Sequence, residues 1–289
     1  MTSGVKFIHL TDLHLVPRGE TLYGHDTVAR TRAAVSSIAR DHRDAAFVAI
    51  TGDLAERGEA AAYESLASLL QDLPMPVHLT IGNHDDRDTF LAVFRDVPRT
   101  TDGFVSYVAE TPAGPAVVLD TVDTGRSGGR LCERRLDWLS GQLSALRGED
   151  VLVFMHHPPF DVGIGSMDRR GLDGRDALHE CLAAHGRVRH IFFGHIHRSI
   201  SGLWRGIAFS GQRGTHHQVA LVLAPGERTD ACFEPPAYSV VLVSHDQVTV
   251  HVAHYDDDSP RFDLRDRRLM AAQSPAELFR LAAGEPGTA

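Results

Sequence analysis

Short apolar runs alternate with amphipathic stretches along the first two thirds of the chain. Runs such as VKFIHLT (5–11) and FVAITGD (47–53) have the length of a strand and are predominantly apolar. The stretches 27–40 and 59–72 instead carry apolar side chains at helical spacing. Apolar strands that are separated by helices are typical of sheets covered on both faces. The pattern therefore predicts an α/β fold.

The alternation continues to about residue 197. Further strands are predicted over 77–81, 105–110, 116–122, 151–159 and 189–197, and further helices over 87–95, 133–147 and 174–185. Residues 199–255 carry mainly strand patterns, among them VALVLA (219–224). The segment 256–289 is charged and then rich in Ala, Gly and Pro, which predicts a partly flexible tail. We expect one domain over 1–255, whose C-terminal strands extend or flank the main sheets.

The composition is that of an ordinary globular protein. Of 289 residues, 43% are hydrophobic and 23% are charged, which is enough for a large core. The sequence has no apolar run of the roughly 18 residues that a membrane span needs, and no signal-peptide pattern. We therefore expect a cytoplasmic protein without a membrane partner. Cys132, Cys181 and Cys232 lie far apart and are expected to be free thiols.

The formal net charge of -9 argues against a nucleic-acid polymer as partner, because phosphate backbones are bound by basic surfaces. Histidine is the residue type that stands out, with 18 in 289 residues. Imidazole is the commonest metal ligand among protein side chains. The positions of these histidines therefore matter more than the overall charge.

Several predicted strands end in side chains that can bind a metal ion. These side chains are Asp12, His14, Asp53, Asn83, His84, His156, His157, His195 and His197. In open α/β sheets, ligands bind outside the carboxyl ends of the strands. We therefore expect these groups to converge on one crevice, although they span much of the chain.

The spacing of these residues agrees with a shared site. In an extended segment alternate side chains share a face, so the pairs in TDLH and GHIH each point the same way. Glycines before Asp53, Asn83 and His195 permit tight turns. Each motif alone is ordinary turn or helix-cap chemistry, but their joint occurrence predicts a metal site. Nitrogen and oxygen ligands of this kind suit Mn, Fe, Co or Zn.

The ordered motifs D-x-H, G-D, G-N-H-D, H and G-H-x-H, which run from Asp12 to His197, resemble those of the calcineurin-like metallophosphoesterases. The stretches RGETLYG (18–24), GNHDDRDTF (82–90), MHHPP (155–159) and GTHHQV (214–219) resemble the bacterial branch of this superfamily. That branch contains cyclic-nucleotide phosphodiesterases and glycerophosphodiesterases, and the stretches look closest to the latter. The resemblance implies a four-layer α/β/β/α sandwich with a dinuclear metal centre.

The resemblance also implies a role for each ligand. The first metal would be bound by Asp12, His14 and His197, the second by Asn83, His156 and His195, and Asp53 would bridge the two. Of the two histidines in MHHPP, His156 is chosen because the matching histidine of related members stands two residues before the proline, and because His157 points to the opposite face if the strand stays extended. The cofactors are then two divalent ions, or iron with a divalent ion, and their identity stays open among Mn, Fe, Zn and Co.

The chemistry implied is hydrolysis of a phosphodiester. Two cations that share a water lower its pKa and hold it as hydroxide, and they offset charge on the phosphoryl group. Asp53 is thus counted as catalytic together with His84, which the resemblance places beside the phosphate, where it stabilises the transition state or protonates the leaving alkoxide. Asp85 and Asp86 are expected to cap the following helix.

The substrate is expected to be a small phosphodiester, and glycerophosphodiesters are favoured. Tyr23 and, by resemblance, His217 are expected to contact it together with Asn83 and His84. The alternatives are a cyclic-nucleotide (cAMP) phosphodiesterase and a promiscuous enzyme that also hydrolyses monoesters. A nuclease is disfavoured by the charge. A non-catalytic scaffold of the same fold is disfavoured because no ligand position is lost.

An oligomer, at least a dimer, is expected from the segment 199–210. It carries Leu203, Trp204, Ile207 and Phe209, which is more apolar area than an exposed edge strand should hold. Related phosphodiesterases pair through such segments.

Overall fold

The structure is a computed structural model that describes residues 4–223, 226, 228–259 and 261–283. The strands in chain order are β1 (Val5–Leu10), β2 (Val48–Thr51), β3 (Val77–Thr80), β4 (Tyr107–Ala109), β5 (Ala116–Leu119), β6 (Gly129–Arg130), β7 (Val151–Met155), β8 (Leu172–Asp173), β9 (Val188–Phe193), β10 (Ile200–Trp204), β11 (Ile207–Gly211), β12 (Gln218–Val219), β13 (Ala231–Cys232), β14 (Tyr238–Val243) and β15 (Val248–Ala253). The helices are α1 (Thr27–Asp41), α2 (Ala60–Leu70), α3 (Arg87–Val93), α4 (Glu133–Ala145), α5 (Gly165–Asp168), α6 (Arg175–His185), α7 (Arg267–Met270) and α8 (Pro275–Ala282).

Two mixed sheets form the frame of the protein. The first has the strand order β15-β14-β1-β2-β3, and the second has the order β10-β11-β9-β7-β5-β4. The central strands are parallel, since β1 pairs with β2 and β2 with β3, while β5 pairs with β7 and β7 with β9. Strands from the C-terminal part extend both sheets, as the sequence predicted. The prediction of an α/β fold is confirmed.

The two sheets pack face to face between layers of helices. Along β7, Phe154 belongs to the core that also contains residues of the first sheet and of α1 and α2. Its neighbours Val153 and Met155 point the other way, into a second core shared with Leu139 of α4 and Leu182 of α6. Since alternate side chains of a strand lie on opposite faces, each sheet is covered on both sides. The order of layers is α/β/β/α.

Aromatic rings fill the space between the sheets. Phe7 of the first sheet stacks on Phe47 with ring centroids 4.5 Å apart, and it meets Phe154 and Phe192 of the second sheet edge-on at 5.8 and 5.4 Å. Phe154 and Phe192 stack at 5.1 Å. Offset and edge-to-face pairs at these distances stabilise a core beyond the area that they bury. The ends of the central strands are thereby held on a rigid base.

Side-chain caps fix the starts of two helices. The side chain of Asp26 accepts from Ala29 N at the start of α1, and that of Asp86 accepts from Thr89 N at the start of α3. Such caps satisfy backbone donors that the first helical turn leaves free. The expected cap at Asp86 is therefore present, whereas Asp85 has a different role that is described below.

The C-terminal region differs from the sequence pattern in two places. Only Gln218–Val219 forms a strand at the predicted run VALVLA, residues 220–223 do not, and residue 224 lies outside the described residues. The chain divides into two compact units, residues 1–255 and 256–289. The second unit contains the helices α7 and α8, which the sequence pattern did not predict, and residues 260 and 284–289 of the expected tail lie outside the described residues.

The three cysteines are free, as expected. Within the described residues, no helix combines the length and the apolar character that crossing a membrane requires.

Candidate metal centre

The predicted site residues follow the carboxyl ends of five strands, three parallel neighbours in the first sheet and two in the second. Asp12 and His14 follow β1, Asp53 follows β2, Asn83 follows β3, His156 follows β7, and His195 and His197 follow β9. The backbone N–H of His195 donates to both carboxylate oxygens of Asp12 at 3.1 Å, across 183 positions of sequence. The two sheets therefore bring their strand ends together.

A first cluster contains Asp12, His14, Asp53 and His197, whose ligand atoms all lie within 4.8 Å of one another. The Nε2 atoms of His14 and His197 are 3.0 Å apart, and Nε2 of His197 lies 3.4 Å from Oδ1 of Asp12. The four side chains are buried. This is the set that the sequence proposes for the first metal, together with the bridging aspartate.

A second cluster surrounds the amide of Asn83. Its Oδ1 atom lies 3.2 Å from Nε2 of His156 and 2.9 Å from Nδ1 of His195. Both histidines are buried. These are the residues proposed for the second metal, and the structure brings them together.

Asp53 lies between the two clusters. Its Oδ2 atom is 3.6 Å from Nε2 of His14 and 3.3 Å from Nε2 of His156. Its Oδ1 atom accepts from the backbone N–H of His84 at 2.9 Å. A single carboxylate within reach of both groups has the placement that a bridging ligand needs.

The hydrogen bonds of the first cluster show which nitrogen of each histidine is available to a cation. Nδ1 of His14 lies 2.6 Å from the carboxylate of Glu56, and Nδ1 of His197 lies 2.8 Å from the carbonyl oxygen of His217. A carboxylate and a carbonyl only accept, so each ring carries its proton on Nδ1 and presents a lone pair at Nε2. The two lone pairs then face each other and the Asp12 carboxylate, an arrangement that repels unless a positive charge lies among them.

The same reasoning holds for the second cluster. Nδ1 of His156 donates to the carbonyl oxygen of Thr51 at 2.7 Å, which leaves Nε2 as the nitrogen that faces Asn83 and Asp53. Nitrogen and oxygen lone pairs from several side chains thus converge in both clusters. These donor sets fit divalent first-row metals.

Backbone strain is concentrated at these residues. Five of the proposed ligands have positive φ angles in the left-handed region: Asp12 (54°), His14 (46°), Asp53 (48°), His195 (69°) and His197 (48°). Side chains with a Cβ adopt this region at a cost, and such residues cluster at functional sites. The strained backbone at these strand ends therefore indicates that the directions of the ligand side chains matter for function.

Two glycines permit the close approach of these turns. A Cβ on Gly82 would lie 2.2 Å from Oδ1 of Asp53 and 2.7 Å from Cε1 of His156, and one on Gly194 would lie 1.9 Å from Oγ1 of Thr11. Heavy atoms do not approach that closely. Glycine is required here for space, in addition to the turn that the sequence suggested.

Burial and mutual charge set the protonation of the site. Burial lowers the pKa values of His14 and His195 well below the usual range, so both rings are neutral and able to bind a cation. Burial also acts to lower the pKa of His156, but the Asp53 carboxylate outweighs it and raises that pKa to about 9, so a cation bound at Nε2 would take the place of a proton there. Burial acts to raise the pKa of Asp53, yet His156 and His14 hold it well below its usual value. Asp53 is therefore ionised at neutral pH.

Residues 5–199 match the family model described as Calcineurin-like phosphoesterase. The chain belongs to the calcineurin-like phosphoesterase family. The resemblance inferred from the motifs is confirmed. Calcineurin-like phosphoesterases use a dinuclear divalent metal centre, and the two clusters of His, Asp and Asn side chains are the groups of this chain that fit one.

Relatives in this family come from both branches that the motifs suggested. A probable cyclic nucleotide phosphodiesterase of Rhodopseudomonas palustris is 44% identical over 265 residues, which are 91% of this chain and 97% of the relative. A probable glycerophosphodiester phosphodiesterase, GpdQ, of Arcobacter nitrofigilis is 28% identical over 254 residues, which are 86% of this chain and 92% of the relative. A dimetal phosphatase from Danio rerio shares the fold, with a TM-score of 0.66 and 16% identity over 88% of this chain and 97% of that one.

In this calcineurin-like phosphoesterase, His84 lies at the rim of the two clusters. Its Nδ1 atom donates to the carbonyl oxygen of Glu56 at 2.9 Å, and its ring lies 4.7 Å from that of His14. The side chain is 37% exposed. Because Nδ1 is occupied, Nε2 is the atom available to a substrate. Burial acts to lower the pKa of His84, but Asp53 and Glu56 raise it overall.

Tyr23 and His217 are also brought to the site. The ring of His217 lies 4.9 Å from that of His14 and 4.6 Å from that of His197. The ring of Tyr23 lies 5.2 Å from His217 and is 61% exposed. An exposed aromatic face therefore stands next to the first cluster. Contact of either residue with a substrate stays a prediction.

The sequence predicted that His157 points away from the site, but in the structure its ring lies beside the proposed ligands. Strand β7 ends at Met155, so the alternation of faces no longer applies to the next residues. The His157 ring is buried, lies 4.6 Å from that of His195 and shares a hydrogen bond of 2.8 Å between Nδ1 and Oγ1 of Thr121. Since Nε2 of His156 is the atom near Asp53, the distances still favour His156 as the ligand.

Two acidic residues of the site were missed or misassigned by sequence reasoning. Asp85 does not cap α3. Its buried carboxylate accepts from the backbone N–H groups of Leu54, Ala55 and Gly82 and from the hydroxyl of Tyr63, at 2.8 to 3.1 Å. It thus ties the turn after β2 to the turn after β3.

The second of these residues is Glu56, which contacts His14 and His84 and which no motif indicated. Its place three residues after Asp53 in the TGDLAER stretch is the only signal in the sequence.

Proposed function

We propose that the chain hydrolyses small phosphodiesters with two divalent metal ions. The observation that carries the proposal is the position of Asp53, whose Oδ2 atom lies 3.6 Å from Nε2 of His14 and 3.3 Å from Nε2 of His156. Asp12, His14 and His197 would hold the first ion, Asn83, His156 and His195 would hold the second, and Asp53 would contact both. The names of the relatives from R. palustris and A. nitrofigilis, both of them probable phosphodiesterases, support this reading.

When bound, the ions supply Lewis-acid chemistry, which lowers the pKa of a water and offsets charge that develops on the phosphoryl group. The chain's own residues prepare the site for an anion. Asn83 contributes an uncharged amide oxygen to the second cluster, so the carboxylates of Asp12 and Asp53 are the anionic groups among the proposed ligands. Two divalent ions therefore leave the site positive, which suits a phosphodiester.

His84 is proposed to act on the substrate. Its backbone N–H is held by Asp53, and its Nδ1–H is held by the carbonyl oxygen of Glu56. The ring is thereby fixed with Nε2 free at the rim of the site. In the protonated form this nitrogen donates to a phosphoryl oxygen or to the leaving alkoxide.

The substrate class is a small diester, and two observations bear on which one. The pattern of the sequence favours glycerophosphodiesters. The exposed ring of Tyr23 beside His217 offers a nucleobase a face on which to stack, since every base has a π-face. The relative that is 44% identical is named a probable cyclic nucleotide phosphodiesterase. We therefore place cyclic nucleotides first for testing, with glycerophosphodiesters as the second candidate.

A substrate panel tests the proposal. Metal-stripped protein is reconstituted with manganese, and kcat/KM is measured for bis-(p-nitrophenyl) phosphate, p-nitrophenyl phosphate, cyclic AMP and glycerophosphoethanolamine. Diester hydrolysis that requires added metal supports the function, and a preference of tenfold or more for one natural diester, about 1.4 kcal/mol in the transition state, assigns the class. Absence of metal-dependent hydrolysis of every diester would refute the proposal.

Other aspects of the function rest on the sequence alone. A cytoplasmic location, the lack of nucleic-acid and membrane partners, and the assembly into a homo-oligomer are proposals. The choice among Mn, Fe, Zn and Co is also open, because selectivity in such sites depends on geometry and availability.

A further inference from the structure

Glu56 links a proposed metal ligand to the proposed substrate histidine. It lies on the turn after β2, three residues beyond Asp53. Its carboxylate Oε2 accepts from Nδ1 of His14 at 2.6 Å, and its backbone carbonyl oxygen accepts from Nδ1 of His84 at 2.9 Å. The side chain is 18% exposed. One residue therefore contacts the two rings through different parts of its structure.

We propose that Glu56 is a positioning residue that fixes the tautomers and orientations of both histidines. The inference builds on the proposed function, since it assigns a purpose to the same site. The side chain acts on His14 and the backbone acts on His84. Each histidine is thereby left with Nε2 as its working nitrogen, in the first case toward the metal position and in the second toward the substrate.

The side-chain contact has a specific chemical consequence. A carboxylate has no proton to give, so the contact at 2.6 Å places the proton of His14 on Nδ1. The lone pair at Nε2 is then directed toward Nε2 of His197, 3.0 Å away, and toward Asp53. A carboxylate behind a ligating histidine also raises the basicity of the ring, and loss of such partners typically weakens metal binding about 10- to 100-fold.

The backbone contact is held by the fold and not by the side chain. The N–H of Glu56 donates to the carbonyl oxygen of Leu15 at 2.9 Å, which anchors this turn to the segment after β1. Beyond it, Gly58 approaches Asp86 so closely that a Cβ would lie 2.6 Å from the Asp86 side chain. The carbonyl that orients His84 therefore stays in place when the Glu56 side chain is changed, and the two functions of the residue can be separated by substitution.

The neighbouring charges support a dedicated role for the carboxylate. Arg57, the adjacent cation, is directed away and pairs with Glu20 at 2.8 Å and with Glu59 at 2.6 Å. The ion-pair contacts that the structure gives for Glu56 are to His14 and, at 3.6 Å, to His84. Asp85, by comparison, has its carboxylate satisfied by backbone N–H groups, as a purely structural acid does.

Substitutions at Glu56 test the proposal by metal binding, a readout that does not depend on activity. Metal-stripped wild type, Glu56→Gln, Glu56→Asp and Glu56→Ala are titrated with manganese. Gln keeps an oxygen that accepts from His14 and should bind manganese within about threefold of wild type. Ala removes the acceptor and Asp withdraws it by one methylene, so both should bind about 10- to 100-fold more weakly at one of the two positions.

Glu59→Gln is the matched control, because Glu59 is an acid three residues further along the chain whose ion-pair contact in the structure is to Arg57 and not to a proposed ligand. It should bind manganese as wild type does. Urea denaturation of each metal-stripped variant measures the effect on folding. Glu56→Asp guards against an unstable Ala variant, since it keeps both the charge and the backbone carbonyl.

The outcomes separate this inference from the proposed function. Wild-type manganese affinity in Glu56→Ala and Glu56→Asp, with a lowered urea midpoint, would show a structural acid and overturn the inference. Equal weakening in Glu56→Gln and Glu56→Ala would also overturn it, because the carboxylate would then act through its charge and not through the hydrogen bond that places the proton of His14 on Nδ1. If wild type binds manganese with the predicted dependence on Glu56 but hydrolyses no diester, the inference stands and the proposed function fails.

Discussion

The backbone N–H of His84 donates to Oδ1 of Asp53 at 2.9 Å. The residue proposed to act on the phosphate is thus attached to the residue proposed to bridge the metals. The contact spans 31 positions of sequence and joins the turns after two neighbouring parallel strands. A change at Asp53 should therefore disturb both the metal positions and the orientation of His84. A change in the His84 side chain should leave the metal positions intact and affect only the group that acts on the substrate.

Asp53→Ala should abolish diester hydrolysis and lower the metal content at both positions, because it removes the oxygen that lies near His14 and His156. Asn83→Ala should preferentially empty the second position, since the hydrogen-bond contacts that the structure gives for the Asn83 side chain are to His156 and His195. Metal content of the purified, reconstituted variants provides the measurement. Full activity from an Asp53→Ala protein that binds no metal would rule out the mechanism.

His84→Ala should reduce kcat by about 100-fold or less and leave the metal content near that of wild type, in line with typical acid–base contributions. The reduction should be smaller for p-nitrophenyl esters, whose leaving group needs no proton. Kinetics with good and poor leaving groups measure this difference. An equal reduction for both kinds of ester would exclude the acid role and leave only phosphate binding.

The fold and most of the site could be predicted because they depend on local pattern. Apolar runs such as VLVFM mark buried strands, and the glycines and ligands that follow them mark strand ends. His156, for example, follows such a run, and its Nε2 atom lies 3.3 Å from Oδ2 of Asp53. The convergence on one crevice follows from the rule that parallel strands present their carboxyl ends at one edge.

The features that were missed depend on contacts between distant turns. Glu56 contacts His14 across 42 positions of sequence, at turns where Asp53 and His14 adopt positive φ angles that no pattern of residue types shows. Asp85 looked like a helix cap, yet tertiary contacts bury it against backbone donors. The run VALVLA is apolar enough for a strand, but Leu221 and Leu223 are exposed, and among the residues that the structure describes no strand pairs with them.

Two buried histidines between the sheets should make the fold sensitive to acid. Burial lowers the pKa of His9 to about 3 and that of His190 to about 4, and the proximity of His190 adds to the shift at His9. Unfolding restores values near 6.5, so the unfolded state binds more protons below that pH. These two histidines therefore leave the free energy of unfolding unchanged above pH 6.5. As the pH drops from 6.5 toward 4, each lowers it by about 1.4 kcal/mol per pH unit.

Urea denaturation at pH 7 and pH 5 measures this effect in wild type and in His190→Gln. Gln retains a partner for Oγ1 of Ser210, which His190 contacts at 2.8 Å. The free energy of unfolding should depend less on pH in the variant, by the roughly 1.4 kcal/mol per pH unit that one histidine contributes. The same pH dependence in both proteins would show that His190 does not titrate on unfolding.

The exposed edge of the second sheet should form a contact between subunits. Leu203 lies on β10, at the edge of that sheet, and is 74% exposed, which an isolated edge strand avoids. We expect at least a dimer by light scattering at micromolar concentration, and Leu203→Glu should shift it to the monomer. Leu264→Glu is the control, since Leu264 is 76% exposed and lies in the second unit, outside this edge. A monomeric mass for wild type would rule the contact out.

Tyr23 should distinguish between the two candidate substrates. Its ring is 61% exposed and lies 5.2 Å from that of His217, so a base bound at the first cluster can stack on it, whereas a glycerol alcohol cannot. Tyr23→Ala should lower kcat/KM for cyclic AMP by about 5- to 150-fold, which corresponds to the 1–3 kcal/mol of a base–aromatic stack, and leave glycerophosphoethanolamine nearly unchanged. Tyr23→Phe keeps the ring and should retain wild-type kcat/KM for cyclic AMP. If Tyr23→Ala lowers hydrolysis of both substrates equally, the ring shapes the mouth of the site without contacting a base, and the preference for cyclic nucleotides loses its structural support.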